Sequence, residues 1–169
     1  MISDKMTKEL TKQINAELYS AYLYMAMSSQ CNIIGLTGSA TWFFVQGQEE
    51  MTHALRFYKY VQSQGRQVLL GSIEQPPSKF GSIKEMFAAT LEHEKKVTAL
   101  IHKLANLAVE EKDHATGILL QWFVKEQVEE EESANDMIVQ LSLAGDKGGT
   151  LLMIDKHLGN RTFKWPADL

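Results

Sequence analysis

Apolar residues recur along most of this chain at alternating intervals of three and four positions. This spacing is typical of helices that bury one face against a core. It extends over four long segments and one short segment, and it predicts helices at about residues 4–33, 39–64, 82–111, 114–144 and 150–158. Since no segment alternates apolar and polar residues as a half-buried strand does, the pattern predicts an all-α protein.

Residues that commonly begin or end helices lie between these segments. Gly35, Gly65 and Gly145 follow the first, second and fourth segments, where glycine often ends a helix. Ser82 and Glu85 have the spacing of a capping box at the start of the third helix, and Asp113 can cap the fourth. The boundaries therefore have local signals that are independent of the apolar pattern.

The connections between the helices differ in length, and the difference predicts the topology. Short turns join the first helix to the second and the third to the fourth, so each pair is expected to run antiparallel. Residues 66–81, a segment with two adjacent prolines, separate the second and third helices, and this is long for a compact domain. One long crossover in a four-helix bundle is the ferritin-like connectivity. We predict a single ferritin-like domain over residues 1–169, with a short fifth helix.

Composition excludes several classes of function. The 169 residues are 44% hydrophobic and carry a formal net charge of -4, which suits one domain without a large basic patch. The only cysteine, Cys31, excludes an intrachain disulfide and a cysteine-only zinc site. The chain has no signal-type apolar segment before its first helix and no uncharged apolar run long enough for a membrane. We expect a cytoplasmic protein that binds neither nucleic acid nor membrane.

One glutamate lies on the apolar stripe of each long helix, close to its middle. The four carboxylates should therefore lie at the same level of the bundle, whichever way each helix runs. No lysine or arginine shares those stripes, and a group of buried negative charges is very unfavourable without a cation. The pattern predicts a metal site formed by Glu17, Glu50, Glu94 and Glu130.

An imidazole adds to the predicted ligand set, because His53 follows Glu50 by one helical turn. Oxygen donors with one histidine suit iron(II), manganese or zinc, and the lack of thiolates argues against metals that prefer sulfur. Four carboxylates balance the charge of two divalent ions, and one carboxylate can bridge both. We expect a two-metal site with its ions ~3.5–4 Å apart.

The Glu-x-x-His spacing is weak evidence by itself. Glu111 and His114 have the same spacing, but they lie at the junction of the third and fourth helices without companion carboxylates. We interpret that second pair as part of a solvated turn. The pair Glu50 and His53 differs because glutamates on three other helices accompany it.

Six segments of the chain carry a family resemblance, and they read NAELYSAYLY (15–24), QEEMTHA (48–54), EHE (92–94), LQWFVKEQVEEE (120–131), LSLAG (141–145) and IDK (154–156). Together they resemble the haem-free prokaryotic ferritins. The likeness covers nearly the whole chain. It implies an iron-storage protein that forms a hollow shell of 24 identical subunits. Each subunit would oxidise iron(II) with dioxygen at a ferroxidase centre, and ferric mineral would be deposited inside the shell.

The resemblance also implies which residues bind the iron. Glu17, Glu50 and His53 would hold the first iron. Glu50 would bridge to a second iron, which Glu94 and Glu130 would also hold.

Further roles follow from the same resemblance. Gln127 would line the dioxygen side of the centre, and Tyr24 would form a hydrogen bond with one of its carboxylates. A third iron site, found in the prokaryotic members, would use four neighbouring carboxylates: Glu49, Glu126, Glu129 and Glu130.

Less specific interpretations remain for some of these residues. The glutamate-rich stretch 126–132 also fits a solvated helix face, and Tyr24 also fits a core tyrosine that needs one hydrogen-bond partner. Cys31 is expected to fill apolar space. Three further histidines are expected to face solvent or neighbouring subunits: His93, His102 and His157.

Other functions stay open. A non-storage protein of the ferritin-like class would be a di-iron carboxylate oxidase acting on an organic substrate, or a structural bundle with protonated carboxylates. A haem-binding bacterioferritin would have a second Glu-x-x-His on the fourth helix, where this chain has Gln127-Val128-Glu129-Glu130. Met51 stands where bacterioferritins have their haem methionine, but haem ligation needs more than a thioether, so we expect no haem.

Overall fold

The structure is a computed structural model that describes residues 1–145 and 148–167. The described residues form five α-helices and no strand. The helices are α1 (Asp4–Ile33), α2 (Thr37–Ser63), α3 (Ile83–Glu110), α4 (His114–Ala144) and α5 (Gly148–Leu158). The predicted all-α class is confirmed, and the observed helix ends lie within about two residues of the predicted ones.

Local signals account for several helix ends. Glu85 N–H donates to Ser82 Oγ, and Ser82 N–H donates to the Glu85 carboxylate, so the capping box at the start of α3 is present. Asp113 accepts a hydrogen bond from the backbone of Thr116 at the start of α4. Gly145 follows α4 with a φ of 56°, a conformation that glycine adopts without strain.

A distant side chain determines the start of α2. The helix begins at Thr37, two residues before the predicted start. Gly38 N–H donates to Asp155 Oδ2 at 3.0 Å, and Ser39 N–H donates to Asp155 Oδ1 at 2.7 Å. Asp155 belongs to α5, so the acceptor that satisfies these free N–H groups comes from another helix. The contact requires glycine, since a Cβ on Gly38 would lie 1.7 Å from the Asp155 carbonyl oxygen.

The four long helices form a bundle in which α1 packs against α2 and α3 packs against α4. The segment 64–82 is the long crossover between the two pairs, and α1 holds it in position. Asn15 donates to the Ser72 carbonyl at 2.8 Å. Gln30 accepts from Phe80 N–H and donates to the Gly81 carbonyl, both at 3.1 Å. No described helix is both long enough and apolar enough to cross a membrane.

Two apolar clusters fill the bundle on either side of one polar layer. The first includes Leu10, Ile14, Phe57, Val97 and Phe123. The second includes Tyr24, Met27, Phe43, Phe87 and Met137. Each long helix passes from one cluster to the other, and its predicted metal-binding glutamate lies at the crossing point. The polar layer therefore lies at the middle of the bundle.

Candidate metal centre

Four glutamates from four helices form the layer between the apolar clusters. Glu17, Glu50 and Glu94 are at most 2% exposed, and Glu130 is 9% exposed. The helix period explains this burial, because each glutamate shares the stripe of apolar residues three or four positions away.

Two overlapping groups of side chains lie close enough to hold a metal ion. In one, the ligand atoms of Glu17, Glu50 and His53 all lie within 4.8 Å of one another. In the other, the ligand atoms of His53, Glu126 and Glu130 lie within the same distance of one another. The first group is the set predicted for the first iron. The second group joins two predicted di-iron ligands, His53 and Glu130, to Glu126, which was predicted for the third iron site.

Glu94 belongs to neither group among the described residues, and hydrogen-bond donors hold both of its oxygens. The Tyr24 hydroxyl donates to Glu94 Oε1. Gln127 Nε2 donates to Glu94 Oε2 at 3.2 Å. Tyr24 therefore contacts a site carboxylate as the resemblance implied, and Gln127 lies against the same carboxylate.

The carboxylates predicted for a third iron site have different partners. Glu49 forms an ion pair with Arg161, which lies in the segment after α5. Glu129 is exposed and lies 3.5 Å from Lys125 Nζ. Of this predicted set, Glu126 and Glu130 lie within metal-binding distance of each other and of His53.

Two buried glutamines of the centre were missed by the sequence analysis. Gln13 Nε2 donates to Glu17 Oε1 at 2.9 Å. Gln46 Nε2 donates to Glu130 Oε2 at 2.7 Å and to Glu50 Oε1 at 3.3 Å. Each glutamine precedes a layer glutamate by four residues on the same helix, and this spacing was the available signal.

Two buried oxygens of the layer have no hydrogen-bond donor among the described residues. They are Glu17 Oε2 and Gln46 Oε1. A buried acceptor without a partner is costly in a folded protein. A cation bound in the layer would supply the missing partner for such oxygens.

Burial raises the pKa of every glutamate in the layer. It raises the pKa of Glu17 to about 8, and the nearby charge of Glu50 adds to the rise. Burial also raises the pKa values of Glu50 and Glu130 well above the ordinary value, again with a contribution from neighbouring carboxylates. The pKa of Glu94 is raised by burial, although two hydrogen bonds oppose the rise. Without a cation the layer keeps protons that a bound metal would displace.

His93, which was expected to face solvent or a neighbouring subunit, is half-buried and contacts supporting side chains of the layer. Its Nε2 lies 2.8 Å from Ser20 Oγ, and its ring meets the Tyr24 ring edge-on at 5.9 Å. Burial lowers the pKa of His93 to about 4, so the ring is neutral at pH 7. The residue flanks the apolar stripe of α3, and α1 covers it. His102 and His157 are exposed, and Cys31 is buried as expected.

Comparison with known proteins identifies the family. Residues 7–144 match the family described as Ferritin: Ferritin-like domain. The chain belongs to the ferritin family. This ferritin is 39% identical over 158 residues to a bacterial non-heme ferritin of Escherichia coli, with 94% of this chain and 96% of the relative covered. It is 38% identical over 164 residues to a probable bacterial non-heme ferritin-like protein of Haemophilus influenzae, with 97% and 99% covered.

Solved ferritin structures have the same fold. A ferritin of Archaeoglobus fulgidus engineered into a closed form is 47% identical, with a TM-score of 0.96 over 97% of this chain and 100% of that chain. An open-pore ferritin of the same archaeon is also 47% identical, with a TM-score of 0.95 over 96% and 100%. The predicted resemblance to haem-free ferritins and the predicted ferritin-like bundle are both confirmed.

Proposed function

We propose that this ferritin stores iron and that the glutamate layer is a ferroxidase centre that oxidises iron(II) with dioxygen. The observation that carries the proposal is the burial of four glutamates at one level, on stripes without lysine or arginine. The unpartnered Glu17 oxygen supports a site for a cation. The relatives named non-heme ferritin support iron as that cation and favour a centre without haem.

Iron(II) is the substrate of the proposed reaction. Glu17, Glu50 and His53 hold one ion, and Glu50 bridges to a second ion held by Glu94 and Glu130. Each ion gives up one electron, and dioxygen takes both electrons with two protons to form hydrogen peroxide. Anionic oxygen ligands favour the harder, more highly charged iron(III), so the carboxylates make iron(II) easier to oxidise. The iron(III) then moves to the stored mineral.

Two side chains next to Glu94 would keep that ligand in position. Burial and the neighbouring carboxylates raise the pKa of Tyr24 well above its ordinary value, so its hydroxyl keeps its proton and donates to Glu94. Gln127 donates to the other Glu94 oxygen and lines the dioxygen side of the proposed centre.

The remaining parts of the proposal concern a third site and the assembly. The third iron site would use Glu49, Glu126, Glu129 and Glu130. We also propose that 24 subunits form the storage shell and that the protein works in the cytoplasm. The likeness to the Archaeoglobus fulgidus ferritins supports a shell.

Replacement of the bridging residue tests the catalytic proposal. We expect Glu50→Ala to slow the rapid oxidation of iron(II) at least about 100-fold, since both ions lose a ligand. Stopped-flow absorbance after mixing with iron(II) and air measures the rate. Glu111→Ala is the matched control, because it alters the second Glu-x-x-His and should leave the rate unchanged. A Glu50→Ala variant as fast as the wild type would refute the site assignment.

Light scattering on the purified protein tests storage separately. A hollow species near 24 subunits supports a mineral store, and a stable monomer contradicts it.

An oxidase acting on an organic substrate needs an open pocket beside the metals. Tyr24, Val97 and Phe123 are at most 3% exposed and fill space near the layer, which disfavours that alternative.

A structural bundle with protonated carboxylates is the second candidate, and the raised pKa values of the layer favour it. It predicts that Glu50→Ala changes stability alone and that iron(II) does not bind. Calorimetric titration with iron(II) under anaerobic conditions distinguishes it from the ferroxidase centre.

A further inference from the structure

Glu49 of α2 is already bound to a cation that belongs to the chain itself. Arg161 Nη2 contacts Glu49 Oε2 in an ion pair, although the two residues are 112 positions apart. The Arg161 and Glu49 side chains are 25% and 32% exposed, so the ion pair is partly shielded from solvent. Charge pairs of this kind are stronger than fully exposed ones.

The Arg161 side chain is held from two further directions. Its guanidinium lies over the Trp42 ring, 4.6 Å from the ring centroid. Its backbone N–H donates to the Leu158 carbonyl at 3.2 Å, which ties the residue to the end of α5. The segment after α5 is therefore connected to the middle of α2 through one side chain.

The ion pair uses only part of the guanidinium. Nη2 contacts the carboxylate, whereas Nη1 is buried and has no acceptor among the described residues. Arginine binds carboxylates most strongly when two of its nitrogens engage both oxygens. Arg161 holds Glu49 through one nitrogen, and a second nitrogen is unpaired. A stronger cation can therefore displace the guanidinium from the carboxylate.

The charge around Glu49 favours such a cation. The carboxylates of Glu126 and Glu130 act electrostatically on Glu49, and both lie within metal-binding distance of His53. A divalent ion can coordinate several of these oxygens at once, whereas the guanidinium reaches one carboxylate. The double charge of the metal ion also offsets more of the repulsion among these carboxylates than the single charge of the guanidinium does.

We propose that Arg161 is an internal counter-ion that iron(II) displaces from Glu49 when it binds at the third site. The inference rests on the proposed function, because it requires that third site. Arg161 lowers the affinity of the site for iron, and filling the site releases the segment after α5 from α2. The step exchanges one cation for another at Glu49 and involves no change of oxidation state.

Calorimetric titration of the assembled protein with anaerobic iron(II) tests the competition. We expect the wild type to bind three ions per subunit, with the third the weakest. Arg161→Gln should tighten the third ion about tenfold and leave the first two unchanged, because the ion pair no longer has to be broken. Arg66→Gln is the matched control, since Arg66 also pairs with a carboxylate, 2.8 Å from Asp4 Oδ1, on a different part of the molecule.

A double-mutant cycle links the effect to Glu49. Arg161→Gln should change no iron affinity in a Glu49→Gln background, because position 49, for which the two cations compete, then carries no charge. If Arg161→Gln tightened the third iron(II) ion equally in both backgrounds, Arg161 would act by general repulsion of the metal ion. That result would overturn the displacement from Glu49.

Tryptophan fluorescence follows the displacement while Arg161 is present. In a Trp122→Phe and Trp165→Phe background, Trp42 is the remaining tryptophan. Zinc(II), which is redox-inactive, should change its emission at the third equivalent as the guanidinium leaves the ring. The change should be absent in Glu49→Gln. If Arg161→Gln does not fold, this fluorescence measurement tests the displacement of Arg161 by itself.

The titration distinguishes the absence of a third iron site from the absence of the displacement. A wild type that binds two ions or fewer refutes the third site of the proposed function, and the present inference with it. A wild type that binds three ions, with a third affinity that Arg161→Gln leaves unchanged or weakens, refutes the displacement alone.

Discussion

Gln46 has no exposed surface, and its amide nitrogen donates to glutamates of two different helices. It connects the proposed bridging ligand Glu50 on α2 to Glu130 on α4. A donor between two carboxylates reduces their repulsion and keeps them at a defined separation. At the residue scale, the geometry of the centre therefore depends on a neutral side chain as well as on the charged ones.

Replacing Gln46 with leucine tests this role. We expect Gln46→Leu to lower the stability of the metal-free protein by about 1–3 kcal/mol, because two buried carboxylate oxygens lose their donor. Iron(II) oxidation should also slow, since two ligands lose their common support. Urea denaturation and stopped-flow absorbance measure the two effects.

Gln13→Leu is the control for that experiment. Gln13 is also buried, but within the described part of the chain its amide donates only to Glu17, on its own helix. It should lower stability and affect oxidation less than Gln46→Leu does. Equal oxidation rates in Gln46→Leu and wild type would show that the cross-helix hydrogen bonds do not position the ligands.

At the scale of elements, α5 stabilises the start of α2. The Asp155 carboxylate accepts hydrogen bonds from Gly38 N–H, Ser39 N–H and Ser39 Oγ. A negative charge at a helix N-terminus is favourable, and here it is also buried. The short fifth helix thus fixes one end of the helix that carries Glu50 and His53.

Two glycine substitutions should have opposite effects on stability. Gly38→Ala would force a Cβ against the Asp155 carbonyl, so we expect a loss of about 1–3 kcal/mol. Gly117 is also helical, but a Cβ there meets no atom within 4 Å among the described residues. Gly117→Ala should therefore stabilise the protein by about 0.5–1 kcal/mol. Thermal unfolding of both variants measures the difference, and a Gly38→Ala variant as stable as Gly117→Ala would contradict the contact.

At the scale of the whole molecule, the polar layer of glutamates divides the core into two apolar clusters. The layer contributes least to stability when its carboxylates must ionise without a metal. Glu17 has a pKa of about 8 in the folded protein and an ordinary pKa of 4.5. At pH values between these two, Glu17 keeps its proton in the folded state and has lost it in the unfolded state. Stability then falls as the pH rises through this window.

The metal-free protein should therefore be more stable at pH 5 than at pH 8. We expect the urea midpoint to fall across this range, with a loss on the order of a few kcal/mol from this group. Glu17→Gln should show a shallower dependence, because its side chain does not ionise. Adding a divalent cation at pH 8 should restore stability. A midpoint that rises with pH equally in both proteins would contradict the effect of burial.

Much of the centre was predictable because helices are periodic. Glu17, Glu50, Glu94 and Glu130 share stripes with apolar residues, and their mid-helix positions bring them to one level. Gln127 and Tyr24 were added by the resemblance to known ferritins. Gln13 and Gln46 were missed because a polar residue beside a stripe is usually solvated, and the apolar pattern does not distinguish the buried exceptions.

The sequence by itself determined the helices, their class of packing and the identity of the four layer carboxylates, because these follow from local period and composition. Only the tertiary structure determined which distant side chains form hydrogen bonds or ion pairs with one another. Gln46 reaches Glu130 across 84 positions, Asp155 reaches Gly38 across 117, and Arg161 reaches Glu49 across 112. Such contacts depend on how whole helices lie against one another. A local pattern carries no information about which distant side chain meets a given carboxylate.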